Sequence, residues 1–270
     1  MTSVGKVLRL GQIFDQKTGT ALIVPMDHPV EGYYEQLEDP RGLIDRLIEA
    51  GASAFLLRRG TARLVAPVLA GRAGLILRTT IATGLRGKAI EQVFVTTVEE
   101  AVRLGAAAVC PTVYLGGETE PVDLEYLGLM ADQCEAWGMP LMSEVFPLGG
   151  DDLIEPGAGP YSLEDMQMCV RIAAEEGADF IKTWYSGDST SYQKVTRYST
   201  VPIVIAGGPK VNTTREALEM VKGAMDAGCV GTSIGRNIWQ HPDPAAMMRA
   251  MAKIVRAKAS VDEAMLEFKH

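Results

Sequence analysis

The chain of 270 residues lacks the patterns that mark several large functional classes. Its four cysteines, Cys110, Cys134, Cys169 and Cys229, are far apart and form no CxxC pair. That spacing argues against a disulfide framework and a zinc site and reads as buried thiols. His28, His241 and His270 form no HxH or HxxxH pair, so neither a metal nor an organic cofactor is expected. Positive charge is in deficit, with 26 Lys and Arg against 34 Asp and Glu for a net charge of −8. A nucleic-acid surface needs clustered cations to displace counterions, so nucleic acid is not an expected partner. No apolar run approaches the roughly 20 residues that cross a bilayer, and Met1 to Gly11 has no apolar signal core. A soluble, cytoplasmic protein without membrane partners is the expectation. GxGxxG is also missing after the first apolar run, where the chain reads Met26-Asp27-His28-Pro29. An open dinucleotide-binding sheet therefore lacks its signature.

What is present is a core-rich composition, 47% hydrophobic, in which short apolar runs alternate with longer amphipathic ones. Eight runs read as strands buried on both faces: Ala21–Met26, Ala54–Arg58, Gly74–Arg78, Ala107–Thr112, Pro140–Val145, Asp179–Thr183, Pro202–Ala206 and Val230–Ile234. Between them lie helical patterns such as Pro40–Ala50, Thr97–Leu104, Asp123–Trp137, Leu163–Glu176 and Arg215–Ala227. Gly51, Gly105, Gly138, Gly177 and Gly228 stand where a helix stops on a left-handed residue and a strand begins. Eight such βα units predict an α/β fold, a (β/α)8 TIM barrel forming one domain over residues 1–270. Gly149–Gly159, rich in Gly, Pro and acid, reads as a long loop after the fifth strand.

A TIM barrel carries its chemistry at the C-terminal ends of its strands, which selects a short set of candidates, among them Arg78 at the end of the third strand. Lys182 lies within Phe180-Ile181-Lys182-Thr183-Trp184, where burial would favour the free amine that attacks carbonyls. The alternatives are that it points outward or pairs with a carboxylate such as Asp27 or Glu144. Asp27, beside His28 at the end of the first strand, suits an acid/base or a turn residue. Glu144 shares strand parity with Met142 and Phe146, which turns it into the barrel as an ion partner or general base if Phe146 faces the site. Strands seven and eight end in Gly207-Gly208-Pro209-Lys210 and Gly235-Arg236-Asn237. In barrels this pair of loops often binds phosphate through backbone N–H groups and a following short helix, and Lys210 and Arg236 could add charge. A phosphorylated small molecule is the expected partner.

Taken in order, Met26-Asp27-His28, Asp179-Phe180-Ile181-Lys182-Thr183-Trp184-Tyr185-Ser186-Gly187-Asp188, Ile205-Ala206-Gly207-Gly208-Pro209-Lys210 and Gly235-Arg236-Asn237-Ile238-Trp239-Gln240 form a specific set. The chain from about Gly11 to Met251 resembles the archaeal-type (DhnA-type) class I fructose-bisphosphate aldolases. That family includes 2-amino-3,7-dideoxy-D-threo-hept-6-ulosonate synthases and autoinducer-2 phosphate thiolases. The resemblance implies a Schiff base on Lys182, an acid/base at Asp27, and phosphate held by the loops with Gly207, Gly208, Gly235 and Arg236. In one place the chain departs from the pattern: aldolase and heptulosonate-synthase members carry a Tyr before Pro at the end of strand five, and here Phe146 precedes Pro147. Glu144, Asp27, His28, Tyr114 and Tyr185 are the groups that could take over its proton transfer.

The leading expectation is a class I aldolase or transaldolase acting on dihydroxyacetone phosphate or a phosphorylated ketose. A heptulosonate-synthase-like or thiolase-like specialist using the same lysine, and a non-catalytic phosphometabolite-binding barrel, are the alternatives. Barrels of this kind often form symmetric assemblies, so a homo-oligomer is expected.

Overall fold

Runs of Ile, Leu, Val and Ala have no polar face to turn to water, so they must be covered on both sides. In the computed structural model, which describes residues 3–86, 91–148 and 162–269, these runs form parallel strands. They are β1 (Ala21–Pro25), β2 (Ala54–Leu57), β3 (Gly74–Arg78), β4 (Ala108–Cys110 and Thr112–Leu115), β5 (Met142–Pro147), β6 (Phe180–Thr183), β7 (Ile203–Ala206) and β8 (Gly231–Ser233). The fourth differs from the continuous Ala107–Thr112 strand expected from the sequence. Pro111 has no N–H for the ladder, so the strand breaks there and resumes as far as Leu115. Its first piece pairs with β3 and its second with β5. The neighbour order therefore begins and ends on two consecutive pieces of one strand, and the sheet is a ring. Across the seam, the Val109 N–H donates to the Pro140 carbonyl at 3.0 Å and the Glu144 N–H to the Pro111 carbonyl at 3.0 Å. The (β/α)8 barrel expected from the sequence is the observed fold.

Helices follow the strands: α2 (Pro40–Glu49), α3 (Arg59–Leu69), α4 (Val98–Arg103), α5 (Glu120–Trp137), α6 (Leu163–Glu175), α7 (Ser189–Tyr198), α8 (Thr214–Asp226) and α10 (Pro244–Ala257), the last preceded by the short α9 (Arg236–Trp239). Asp39, Thr97, Ser162, Asp188, Thr213 and Asp243 cap six of them, each accepting a first-turn N–H that would otherwise lack a partner. All five glycines expected to stop helices have left-handed φ angles, between 57° and 112°. The expected loop Gly149–Gly159 lies outside the described residues. No helix among the described residues is long and apolar enough to cross a membrane.

Strand alternation divides the core in two. Leu22 and Val24 of β1 point outward to the helices, whereas Ala21 and Ile23 point inward, where they meet Ala54, Leu56, Ile76, Ala108, Met142, Phe180 and Val204. Below this interior sits α1 (Val4–Leu10), a helix additional to the expected units. Ile13 joins the inner core, and Phe14 meets Phe180 edge to face at 5.2 Å between centroids. Lys6 fixes this plug by ion pairs to Asp179 at 3.0 Å and Glu135 at 3.1 Å. The lower end of the barrel is thus filled, and open space is left to the upper end.

Gly231 is where ring closure leaves least room. A Cβ there would lie 2.0 Å from the carbonyl oxygen of Ala21, its partner across β1 and β8. Gly231→Ala is expected to lower stability by about 3 kcal/mol or more, because backbone on both strands has to move. Urea unfolding of the purified variant measures this.

Candidate active site

The inward-facing positions continue upward past the apolar layer, and there the side chains become charged. Cross-strand register sets Thr112 beside Glu144 and Glu144 beside Lys182 on β4, β5 and β6, while Arg78 on β3 lies beside Cys110. Side chains at matched positions on one face point the same way, so these groups converge. Glu144 forms ion pairs with both Lys182 and Arg78 and accepts a hydrogen bond from the Thr112 hydroxyl at 2.8 Å. The other edge of the Arg78 guanidinium donates from Nε to Asp27 at 2.6 Å. Asp27, Arg78, Glu144 and Lys182 are each 7% exposed or less, so the four charges compensate one another away from water.

Burial alone would favour protonated carboxyls at Asp27 and Glu144. Burial is the largest single influence at both, but the positive charges around them, led by Arg78 and including Lys182, together outweigh it. Asp27 is held below the usual carboxylate range and Glu144 is pulled down to about 2. His28 behaves oppositely: burial pushes its imidazole down to about 4 despite the nearby Asp27 charge, so it is neutral near pH 7. Its Nδ1 lies 3.7 Å from Asp27, too far for a hydrogen bond, and has no partner among the described residues.

The cavity above this floor has a volume of about 460 Å³. Asp27, His28, Glu31, Arg58, Arg78 and Gln92 line one side, Thr112, Tyr114, Glu144, Phe146, Lys182 and Trp184 another, and Gly207, Gly208, Ser233, Gly235 and Arg236 a third. One rung above Thr112, Glu144 and Lys182 stands an aromatic row. The Phe146 ring stacks on Trp184 at 4.3 Å and packs against Tyr114 at 5.9 Å.

The glycine loops are tied together by Asn237. Its amide donates to the carbonyls of Gly207 at 3.0 Å and Pro209 at 3.1 Å, and its Oδ1 accepts from the Val211 N–H at 2.9 Å. A Cβ on Gly235 would come within 2.6 Å of the Pro25 carbonyl oxygen, so β8 can leave the barrel this close to β1 only as glycine. Two polar atoms here are buried without a partner among the described residues, the Ser233 hydroxyl and Nε of Arg236. Such atoms carry a desolvation cost that a bound anion would remove.

The residues expected from the sequence converge, with two exceptions: Tyr185, whose hydroxyl lies against Gly223 of α8 and not in the cavity, and Lys210. Asp27, His28, Glu144, Lys182, Gly207, Gly208, Gly235 and Arg236 all line the cavity. Lys210 does not: its ammonium is exposed and donates to the Gln240 carbonyl at 2.9 Å, tying one loop to the next. Lys182 has the carboxylate partner that the sequence offered as the alternative to an apolar setting, since Glu144 reaches its amine directly. Arg78, picked out in the sequence only by its place at a strand end, takes the central position on this floor, its parity with Gly74 and Ile76 setting it on the inner face of β3.

The sequence profile described as "DeoC/LacD family aldolase" matches residues 21–241. The 2-amino-3,7-dideoxy-D-threo-hept-6-ulosonate synthase of Halobacterium salinarum is 35% identical over 266 residues, covering 98% of this chain and 97% of the relative. The 2-amino-4,5-dihydroxy-6-oxo-7-(phosphonooxy)heptanoate synthase of Streptomyces griseus is 30% identical, covering 92% of this chain and 89% of the relative. Among solved structures, an archaeal fructose-1,6-bisphosphate aldolase with its catalytic Lys covalently bound to the carbinolamine intermediate of its substrate is 30% identical. It superimposes with a TM-score of 0.82 over 93% of this chain and 99% of the other.

Replacing Arg78 by Met is expected to destabilise the fold by about 3–5 kcal/mol, since two buried carboxylates lose their partner. The pH dependence follows from the sign of the shifts. Asp27 and Glu144 have depressed folded-state values, so their stabilisation is complete above the ordinary carboxylate range and is lost as pH falls, for Glu144 between 4.5 and about 2. Urea midpoints measured at pH 7 and pH 3 should show the gap between wild type and Arg78→Met narrowing at pH 3.

Proposed function

This chain belongs to the DeoC/LacD family of aldolases, and from that premise we propose that Lys182 is the Schiff-base nucleophile for a phosphorylated ketone donor such as dihydroxyacetone phosphate. The observation that carries the assignment is the direct pairing of Lys182 with Glu144 on the floor of the cavity. Glu144 takes a proton from the ammonium, and the amine lone pair attacks the ketone carbon while the carbonyl pair moves to oxygen. That oxygen takes two protons, the one Glu144 removed from the ammonium and one from the attacking nitrogen, and leaves as water while the nitrogen lone pair forms the carbon–nitrogen double bond of the iminium. Thr112 and Arg78 fix the carboxylate during these transfers. Asp27, kept anionic by Arg78, faces the same positive centre and stabilises the iminium.

Phosphate on the donor is assigned to the loops of Gly207, Gly208 and Gly235, with Ser233 and Arg236 supplying the side-chain donors. Their buried, unpartnered atoms support this, as does the "phosphonooxy" group in the name of the Streptomyces griseus relative. With phosphate at β7 and β8 and the ketone at Lys182 on β6, the acceptor aldehyde is left the wall that runs from Phe146 and Tyr114 on β5 and β4 round to Gln92 and Arg58. The reaction is then the making or breaking of a carbon–carbon bond next to the donor ketone.

Incubation with dihydroxyacetone phosphate and sodium borohydride should add one reduced triose phosphate, with peptide mapping placing it on Lys182 and the Lys182→Ala variant unmodified. An unchanged intact mass across a panel of phosphosugars would instead favour a barrel that only binds them. Arg236→Met is expected to raise KM for the phosphorylated donor about 10- to 100-fold with a smaller change in kcat, the loss of one charge-assisted contact made throughout the reaction. Steady-state kinetics over a range of donor concentration checks it.

A further inference from the structure

Carbon–carbon bond formation by an enamine needs a second proton donor, placed where the aldehyde oxygen becomes an alkoxide. The floor offers little that is free. The Thr112 hydroxyl is committed to Glu144, and Arg78 is held by Asp27 and Glu144. Ser233 stands with the glycine loops, and His28 is on β1, half-way round the barrel from β5. At position 146 of β5 the side chain is a phenyl ring with no proton to give.

Tyr114 stands directly beside it. The register of β4 against β5 pairs Tyr114 with Phe146, and their ring centroids are 5.9 Å apart. Tyr114 lines the cavity, and its hydroxyl hydrogen-bonds to no described residue. Its position is well fixed. The backbone N–H donates to Asp123 at 3.1 Å, and Asp123 also accepts from the Thr119 hydroxyl at 3.1 Å. Burial, followed by the Glu144 charge, pushes the phenol above its ordinary range, so it stays protonated at neutral pH.

We propose that Tyr114 is the catalytic proton donor to the aldehyde oxygen, a phenol presented from β4 in place of one at position 146 on β5. The inference rests on the Schiff-base reading of Lys182. In the bond-forming direction, Glu144 removes a proton from the donor carbon next to the iminium, and the freed C–H pair forms the enamine. The enamine carbon attacks the aldehyde carbon, the new carbon–carbon bond forms, and the C=O π pair moves to oxygen. That oxygen takes the Tyr114 proton, and the phenol oxygen takes the proton held by Glu144, directly or through one bridging water. The net transfer is one proton from donor carbon to product hydroxyl, and cleavage runs the same relay in reverse.

Tyr114→Phe separates the steps. With dihydroxyacetone phosphate, the variant should still give the borohydride-trapped adduct on Lys182 and still exchange the donor-carbon proton for deuterium in D2O. Condensation with glyceraldehyde 3-phosphate or aspartate semialdehyde should fall about 10²- to 10⁴-fold. The double variant Tyr114→Phe/Phe146→Tyr should recover at least tenfold of that loss, since it returns a phenol one strand over. Should Tyr114→Phe fail to fold, 3,5-difluorotyrosine at position 114 keeps the ring and moves the basic limb of condensation to lower pH. Condensation within threefold of wild type, or equal losses of trapping, exchange and condensation in a folded variant, or an unmoved basic limb, would overturn the proposal. Wild-type protein that forms no adduct and condenses neither aldehyde would instead overturn the Schiff-base reading.

Discussion

The upper half of this barrel depends on one guanidinium. Arg78 reaches Asp27 on one side and Glu144 and Thr112 on the other, linking the ends of β1, β3, β4 and β5. Without it, the buried carboxylates of Asp27 and Glu144 would either take up protons or force the strands apart to admit water. With it, both are anions that face Lys182, and a lysine on an inner strand position has a stable place beside them. The arrangement that permits charge inside the barrel also sets Glu144 against Lys182, the pairing on which the proposed Schiff-base chemistry rests.

Ring closure then decides distances. The break at Pro111 lets β4 pair with β3 through one piece and with β5 through the other, and the second piece sets Thr112 level with Glu144 and Tyr114 level with Phe146. Polar groups occupy one rung and aromatic rings the next. Tyr192 donates from its hydroxyl to the Trp184 carbonyl at 2.6 Å, holding the exit of β6 under this aromatic row. On the far side, Asn237 and the close approach of Gly235 to Pro25 fix the glycine loops. A donor bound as proposed, with its phosphate on those loops, would span a rigid interval to Lys182, and orientation of this kind supplies much of the rate gain in such reactions.

The barrel was legible in the sequence because its signals are local: strand-length apolar runs, capping residues, and glycines with left-handed backbone at Gly51, Gly105, Gly138, Gly177 and Gly228. Most site residues were legible once the barrel was granted, since only strand ends can carry them. Pairing between strands was not. Of the two carboxylates the sequence offered to Lys182, that Glu144 and not Asp27 is the direct partner, and that Arg78 joins the two, depends on register between segments over sixty residues apart for Arg78 and Glu144. Lys210 misled for a related reason. Its place after the double glycine suits an anion site, but the chain turns so that its amine reaches Gln240 instead. The plug at the lower end was hidden as well, because α1 leaves Val4, Val7 and Leu8 exposed and buries Lys6, so its apolar residues do not mark the side that meets the barrel.

The central claim is that Lys182 forms a carbon–nitrogen bond to a phosphorylated ketone on this charged floor. A crystal structure of the protein reduced by borohydride in the presence of dihydroxyacetone phosphate measures it most directly. The account predicts continuous density from Nζ of Lys182 to the ketone carbon, Glu144 within hydrogen-bond distance of that nitrogen, and the phosphate among Gly207, Gly208, Ser233, Gly235 and Arg236. Density for the ligand attached elsewhere, or separate from Lys182 with its phosphate away from those loops, would contradict it.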